Sequence, residues 1–183
     1  LSYETETPYA PIQDLLCELV GCVGGDPDST SYNDLKDSLV KLVPDAGAGF
    51  APHIATILGI DVTGGDVEKV RFLDPPHAKE KAFTAALGLI ESLAATRPVV
   101  MVLDDLHWVD PTSLDLVKQL MSLIDRVGLM LIGVFRPWRD EASWEFHELA
   151  SRDFGHRHVN ISLSPLTATD ARSLVSNLLE VDD

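Results

Sequence analysis

Five apolar residues, Val99-Val100-Met101-Val102-Leu103, run without a break into two acids, Asp104-Asp105, and this feature limits the fold more than any other. A half-exposed strand alternates apolar and polar side chains. An unbroken apolar run belongs to a strand covered on both faces, as in a parallel sheet flanked by helices. Leu129 to Phe135 is a second run of the same kind. Between them Leu114, Val117, Leu120, Met121 and Ile124 recur at helical spacing over about Pro111 to Val127. Asp110 is the natural N-cap of that helix, Pro111 suits its first position, and Gly128 closes it. Strand, helix and strand with short joints form a right-handed crossover, so the two strands should lie parallel in one sheet. The expected class is α/β.

The remaining elements follow from periodicity and punctuation. Phe83, Ala86, Leu87, Ile90, Leu93 and Ala94 form a helical stripe that Arg97-Pro98 ends. Earlier helices are expected over Pro11 to Val20, with Ile12, Leu15, Leu16 and Leu19 on one face, and over Asp34 to Val43, capped by Ser31 or Asn33. A short helix is expected over Phe50 to Gly59. The turn-rich stretch Gly21 to Ser31, with Gly24-Gly25-Asp26-Pro27, and the connection Asp61 to Pro76 read as loops. Downstream, a helix near Glu141 to Ala150, a strand at Val159 to Leu163 and a helix from Ala168 to Leu179 complete the chain, the last capped by Thr167.

Composition then narrows the function. The 183 residues hold 14 Lys+Arg against 29 Asp+Glu, a formal charge of −15, which excludes a surface built to grip nucleic-acid phosphates. No apolar stretch reaches the roughly 18–20 residues of a membrane helix. Leu1 to Tyr9 lack the basic start and apolar run of a signal peptide, so a soluble, cytoplasmic chain is expected. Cys17 and Cys22 match no metal or redox spacing and fall on different helix faces, which predicts reduced thiols.

The chemistry is expected beyond the carboxyl ends of the parallel strands. Asp104 and Asp105 leave one strand there with side chains on opposite sides, so they serve different tasks. One can face a hydrated magnesium ion, the other an attacking water or a neighbouring loop. Arg136 leaves the next strand at the same height, placed to meet negative charge developing on a phosphoryl group. Plainer roles stay open: Asp104 as a cap, Arg136 as an ion-pair partner of the acids, His107 and Trp108 as packing beneath the loop. A metal hydrolase built on Asp104, Asp105, His107 and Asp110 is another alternative, although one short loop rarely surrounds an ion. A phospho-acceptor receiver domain does not fit, because its acidic pair lies on the first strand.

Val99 to Pro111, with its Leu106-His107-Trp108-Val109-Asp110 after the acid pair, resembles the Walker B segment of the STAND class of AAA-like P-loop ATPases. These are signal-transduction modules attached to class III adenylate/guanylate cyclases, Ser/Thr kinases and helix-turn-helix transcription activators. Thr7-Pro8-Tyr9-Ala10-Pro11 resembles the segment after that family's second strand, and Lys79 to Phe83 the start of the helix before Walker B. Gly133 to Pro137 resembles the sensor strand, and Ile161 to Leu166 the passage into a helical lid. The resemblance implies that Asp104 helps hold Mg2+, that Asp105 polarises the hydrolytic water, and that Arg136 senses the terminal phosphate of ATP. Trp108 and Asp110 match the motif as structural supports.

No G-x-x-x-x-G-K-[ST] stands anywhere in the chain. In the family that loop precedes the Thr-Pro-Tyr segment. The resemblance therefore implies a core, residues 1–163, lacking its first strand and P-loop, followed at 164–183 by the first lid helix. The family's sheet places the P-loop strand between the sensor strand and the last strand. Without it a gap, a strand pairing across molecules (self-association) or a displaced last strand is expected. The implied function is an ATP-binding and hydrolysing regulatory switch. Its partners would be ATP and an attached cyclase, kinase or DNA-binding output domain, with no membrane and no direct nucleic-acid contact by this segment. The alternative is a degenerate, non-catalytic interaction domain of the same fold.

Overall fold

Side-chain caps set the helix starts. Ser31 Oγ accepts the Asp34 N–H at 3.2 Å and opens α2 (Tyr32–Leu42), while Asp74 accepts the His77 N–H at 3.0 Å and opens the long α5 (Pro75–Thr96). The computed structural model describes residues 9–22, 25–138 and 142–179. Thr7, Pro8, Gly24, Glu141 and residues 180–183, all named in the expectations above, lie outside them. The other elements are α1 (Ala10–Val20), α3 (Gly47–Leu58), α4 (Glu68–Arg71), β1 (Val99–Leu103), α6 (Pro111–Met121), β2 (Leu129–Gly133), α7 (Ala142–Asp153) and α8 (Ala168–Leu179).

The core joins the helical first half to the inner face of the sheet. Leu16 of α1, Leu39 of α2, Ile54 of α3 and Leu89 of α5 are fully buried in one cluster with Met101 of β1 and Val117 of α6. Helices α2 and α3 meet closely at Gly47, where a Cβ would stand 2.2 Å from the Leu39 carbonyl oxygen, so only glycine permits the approach. A buried acid ties this half together. Asp66 accepts from Tyr32 Oη at 2.9 Å and pairs with Lys36 and Lys69, each at 2.6 Å. The Lys36 hydrogen bond, then those of Lys69 and Tyr32, hold the Asp66 carboxyl far below the usual range. Burial, helped by Asp66, raises the Tyr32 hydroxyl.

β1 and β2 pair in parallel, Val99 opposite Leu129 through Leu103 opposite Gly133, with α6 as the crossover. The expected covering on both faces does not hold. Met101, Leu103 and Leu129 are buried, but Val100, Val102, Met130 and Val134 are exposed, 58% for Val100. Among the described residues the helices pack on one face only, so an apolar run that suits a doubly covered strand keeps one face open.

Three further expectations change. α6 stops at Met121, and i→i+3 bonds such as Leu123 N–H to Leu120 O carry the chain to Gly128 in turns. Val159–Leu163 is not a strand: Val159, Ile161 and Leu163 stand 78%, 77% and 88% exposed. A strand needs a ladder partner, and none is present among the described residues. Cys17 and Cys22 are not free thiols but a disulfide, with Cα atoms 4.8 Å apart. The helical-face reading failed because α1 ends at Gly21, whose positive φ of 70° swings Cys22 back so that its N–H reaches the Cys17 carbonyl. No helix among the described residues is long and apolar enough to cross a membrane.

Candidate functional site

The chain leaves β1 through a loop whose geometry is held from several sides. The Val134 N–H donates to the Leu103 carbonyl and the Leu106 N–H to the Val134 carbonyl, each at 2.9 Å, so the ladder is extended past the end of β2. α7 packs against the 3-10 turn Leu106–Trp108, and Phe146 lies where a Cβ on Gly133 would be, 2.8 Å from the ring. Asp110 closes the loop as the N-cap of α6, accepting the Thr112 and Ser113 N–H groups at 3.0 Å. Its second oxygen accepts from Ser113 Oγ at 2.5 Å and from the Tyr9 N–H at 3.2 Å. One buried carboxylate thus joins the starts of α6 and α1.

Tyr9 and Asp105, with φ of 71° and 50°, are the non-glycine residues in the left-handed region among those described. Such strain persists only where the surroundings over-determine it, and it concentrates at functional sites. Asp105 lines a cleft of about 480 Å³ beyond the carboxyl end of β1, and Tyr9 caps the helix α1 that forms its other wall. One wall is the Pro11, Asp14, Leu15 and Glu18 face of α1; the other is Val102, Asp104, Asp105 and Trp108. Asp14 and Glu18 escaped the sequence reading, although their i,i+4 spacing with Pro11 and Leu15 marks one helix face.

The expected site residues are distributed as follows. Asp104 is exposed and accepts the Asp105 N–H at 2.9 Å. The Asp105 carboxylate is 74% exposed, 3.8 Å from His107 Nδ1. Arg136 is exposed with its guanidinium 5.0 Å above the Trp138 ring, and it does not line the cleft. Trp138 was not foreseen. It meets the buried His107 ring edge-on at 5.8 Å, while Trp108 packs against the same ring at 5.0 Å. The cluster therefore runs from Asp105 through His107 and Trp138 to Arg136. Trp108 is half-exposed rather than beneath the loop.

The donor set suits a hard, hydrated cation. Carboxylate oxygens of Asp104 and Asp105 face solvent, and no Lys or Arg among the described residues pairs with them. No group of three or more His, Cys, Asp or Glu among those residues converges to hold a metal directly. The cleft lining carries no basic side chain among the described residues, so these residues fit a metal but not, unaided, a triphosphate.

A parallel strand tip, an acid pair and a crossover helix place a candidate ligand site beyond the carboxyl end of the strand, as in the α/β class. A family model described as AAA ATPase domain matches residues 1–132, and the chain belongs to that family. An uncharacterized protein of Rhizobium meliloti (strain 1021) is similar, 35% identical over 75 residues, 38% of this chain and 7% of that relative. The chain thus matches only a small part of the relative's length. No solved structure matches it.

Proposed function

We propose that the chain is the ATPase switch of a STAND-class signal-transduction protein whose phosphate-binding loop precedes Leu1. Residues 1–163 form the core and 164–183 open the lid. The module works in the cytoplasm, where its nucleotide state controls an attached cyclase, kinase or DNA-binding output domain. The observation that carries this reading is the cleft at the end of β1, lined by two exposed acids, Asp104 and Asp105, with no Lys or Arg among the described residues paired to either. Asp104 would help hold Mg2+, Asp105 would polarise the attacking water, and Arg136 would sense the terminal phosphate. Mg2+, when bound, neutralises phosphate charge. Among the described residues, the open apolar face of the sheet, the unpaired outer edge of β2 and the cleft's lack of basic side chains all suit a module completed by a preceding strand, loop and helix.

The test is ATP turnover by the full-length protein. Asp105→Asn is expected to lower kcat by about 10²-fold or more while nucleotide affinity stays within about twofold. The same cleft, acidic and without a basic side chain among the described residues, also favours a second reading, a non-catalytic interaction domain. Wild-type protein without turnover would support it, whereas Asp105→Asn at wild-type kcat would remove Asp105 from the mechanism.

A further inference from the structure

We propose that His107 is a positioning residue for Asp105, holding its carboxylate in the orientation that hydrolysis requires; this rests on the role given to Asp105 above. The His107 side chain is 2% exposed, and neither ring nitrogen has a hydrogen-bond partner among the described residues. A buried imidazole normally finds at least one partner, because leaving a polar atom unpaired without water is costly. An apolar ring would fill the space between Trp108 and Trp138 without that cost. Packing alone therefore does not account for a histidine here.

The geometry points to what the ring does. Nδ1 lies 3.8 Å from Asp105 Oδ1, too far for a hydrogen bond, and an approach of about 1 Å closes the gap. The two indoles and the α7-braced turn fix the ring, so the mobile partner is the exposed carboxylate. The Asp105 side chain is 74% exposed, so rotation about χ1 can carry its carboxylate between the cleft and the ring. Once one carboxylate oxygen accepts the Nδ1–H, the other is held toward the cleft. The carboxylate then enters the reaction in one orientation instead of many.

Packing and positioning predict opposite variant orders. In the full-length protein, kcat, affinity for a non-hydrolysable ATP analogue and the thermal midpoint are compared for His107→Phe, His107→Asn and Asp105→Asn. His107→Phe removes the orphaned nitrogens and keeps a ring, so the midpoint should hold or rise, while kcat falls at least about tenfold at unchanged affinity. His107→Asn places an N–H donor near Nδ1 but leaves space unfilled. Its midpoint should fall, yet its kcat should recover to within about threefold of wild type. Wild-type kcat in His107→Phe, or His107→Asn no faster than His107→Phe, overturns the assignment. Wild-type kcat in Asp105→Asn overturns the reading of Asp105 and this inference with it. An inactive Asp105→Asn beside a fully active His107→Phe overturns only the inference.

Discussion

Asp66 and the Asp104–Asp105 pair carry the same functional group in opposite surroundings. Asp66 sits between α2 and α4 with a phenol and two ammonium groups on its two oxygens. Asp104 and Asp105 stand at a strand tip, turned to a cleft with further carboxylates on its far wall. Both oxygens of the first acid have protein donors, so it serves to hold elements together. The second site has one local acceptor filled, by the Asp105 N–H, leaves its carboxylates without a Lys or Arg partner among the described residues, and confines one of its acids to a strained backbone. Full satisfaction marks structure; acids kept close together without counter-charge mark a place where something else supplies it.

The largest effect expected from this contrast is at Asp66. Asp66→Asn leaves Lys36, Lys69 and Tyr32 facing a neutral amide and should lower the unfolding free energy by about 2–3 kcal/mol, measured by urea titration. The pH dependence has a definite sign. The Asp66 pKa is depressed in the folded state, so its contribution is complete at neutral pH. It begins to be lost as pH falls below the unfolded value of about 3.9, and continues to be lost toward the much lower folded one. Asp66→Asn should therefore flatten the acid limb of the stability profile. An unchanged limb would mean that the three donors are not engaged in solution.

The next effect lies in the cleft wall itself. The Cys17–Cys22 disulfide staples the carboxyl end of α1, whose exposed face carries Asp14 and Glu18. Closing so short a loop contributes about 2 kcal/mol on the chain-entropy account. Dithiothreitol should lower the unfolding free energy of the wild-type chain by about 2 kcal/mol, with a lower denaturation midpoint, and should leave Cys17→Ser/Cys22→Ser unmoved. Equal midpoints in the wild type with and without reductant would show that the bond adds nothing to the wall.

How much of this was legible beforehand divides along physical lines. The helices with strong stripes, α5, α6 and α8, were readable, and Asp110 and Thr167 announce two of the starts, whereas Asp74, which caps α5, fell in the stretch read as a loop. The parallel pairing of β1 and β2 followed from the run-helix-run order. Covering of the sheet was not legible, since an apolar run records what a strand is suited to meet and not what is there. Val159–Leu163 reads as a strand for the same reason. At the site, Asp104 and Asp105 stood out by position, whereas Trp138 and the Asp14–Glu18 face enter only through tertiary approach. The cysteine pairing turned on one glycine dihedral that spacing does not encode.

The smallest effect, at Asp105, sharpens the contrast most. At φ 50° an L side chain is strained, so Asp105→Gly relieves roughly 1 kcal/mol in the folded state. Glycine also widens the unfolded ensemble, which costs about 0.4–1 kcal/mol in the other direction. Removing one of two adjacent carboxylates eases repulsion at a site without a counter-charge. The expected net result is a small gain, on the order of 0.5 kcal/mol by urea titration, with ATP turnover lost. Loss of stability instead would mean that the Asp105 carboxylate already has a stabilising partner. The strand tip would then be built like Asp66, and its strain would have to be explained by packing.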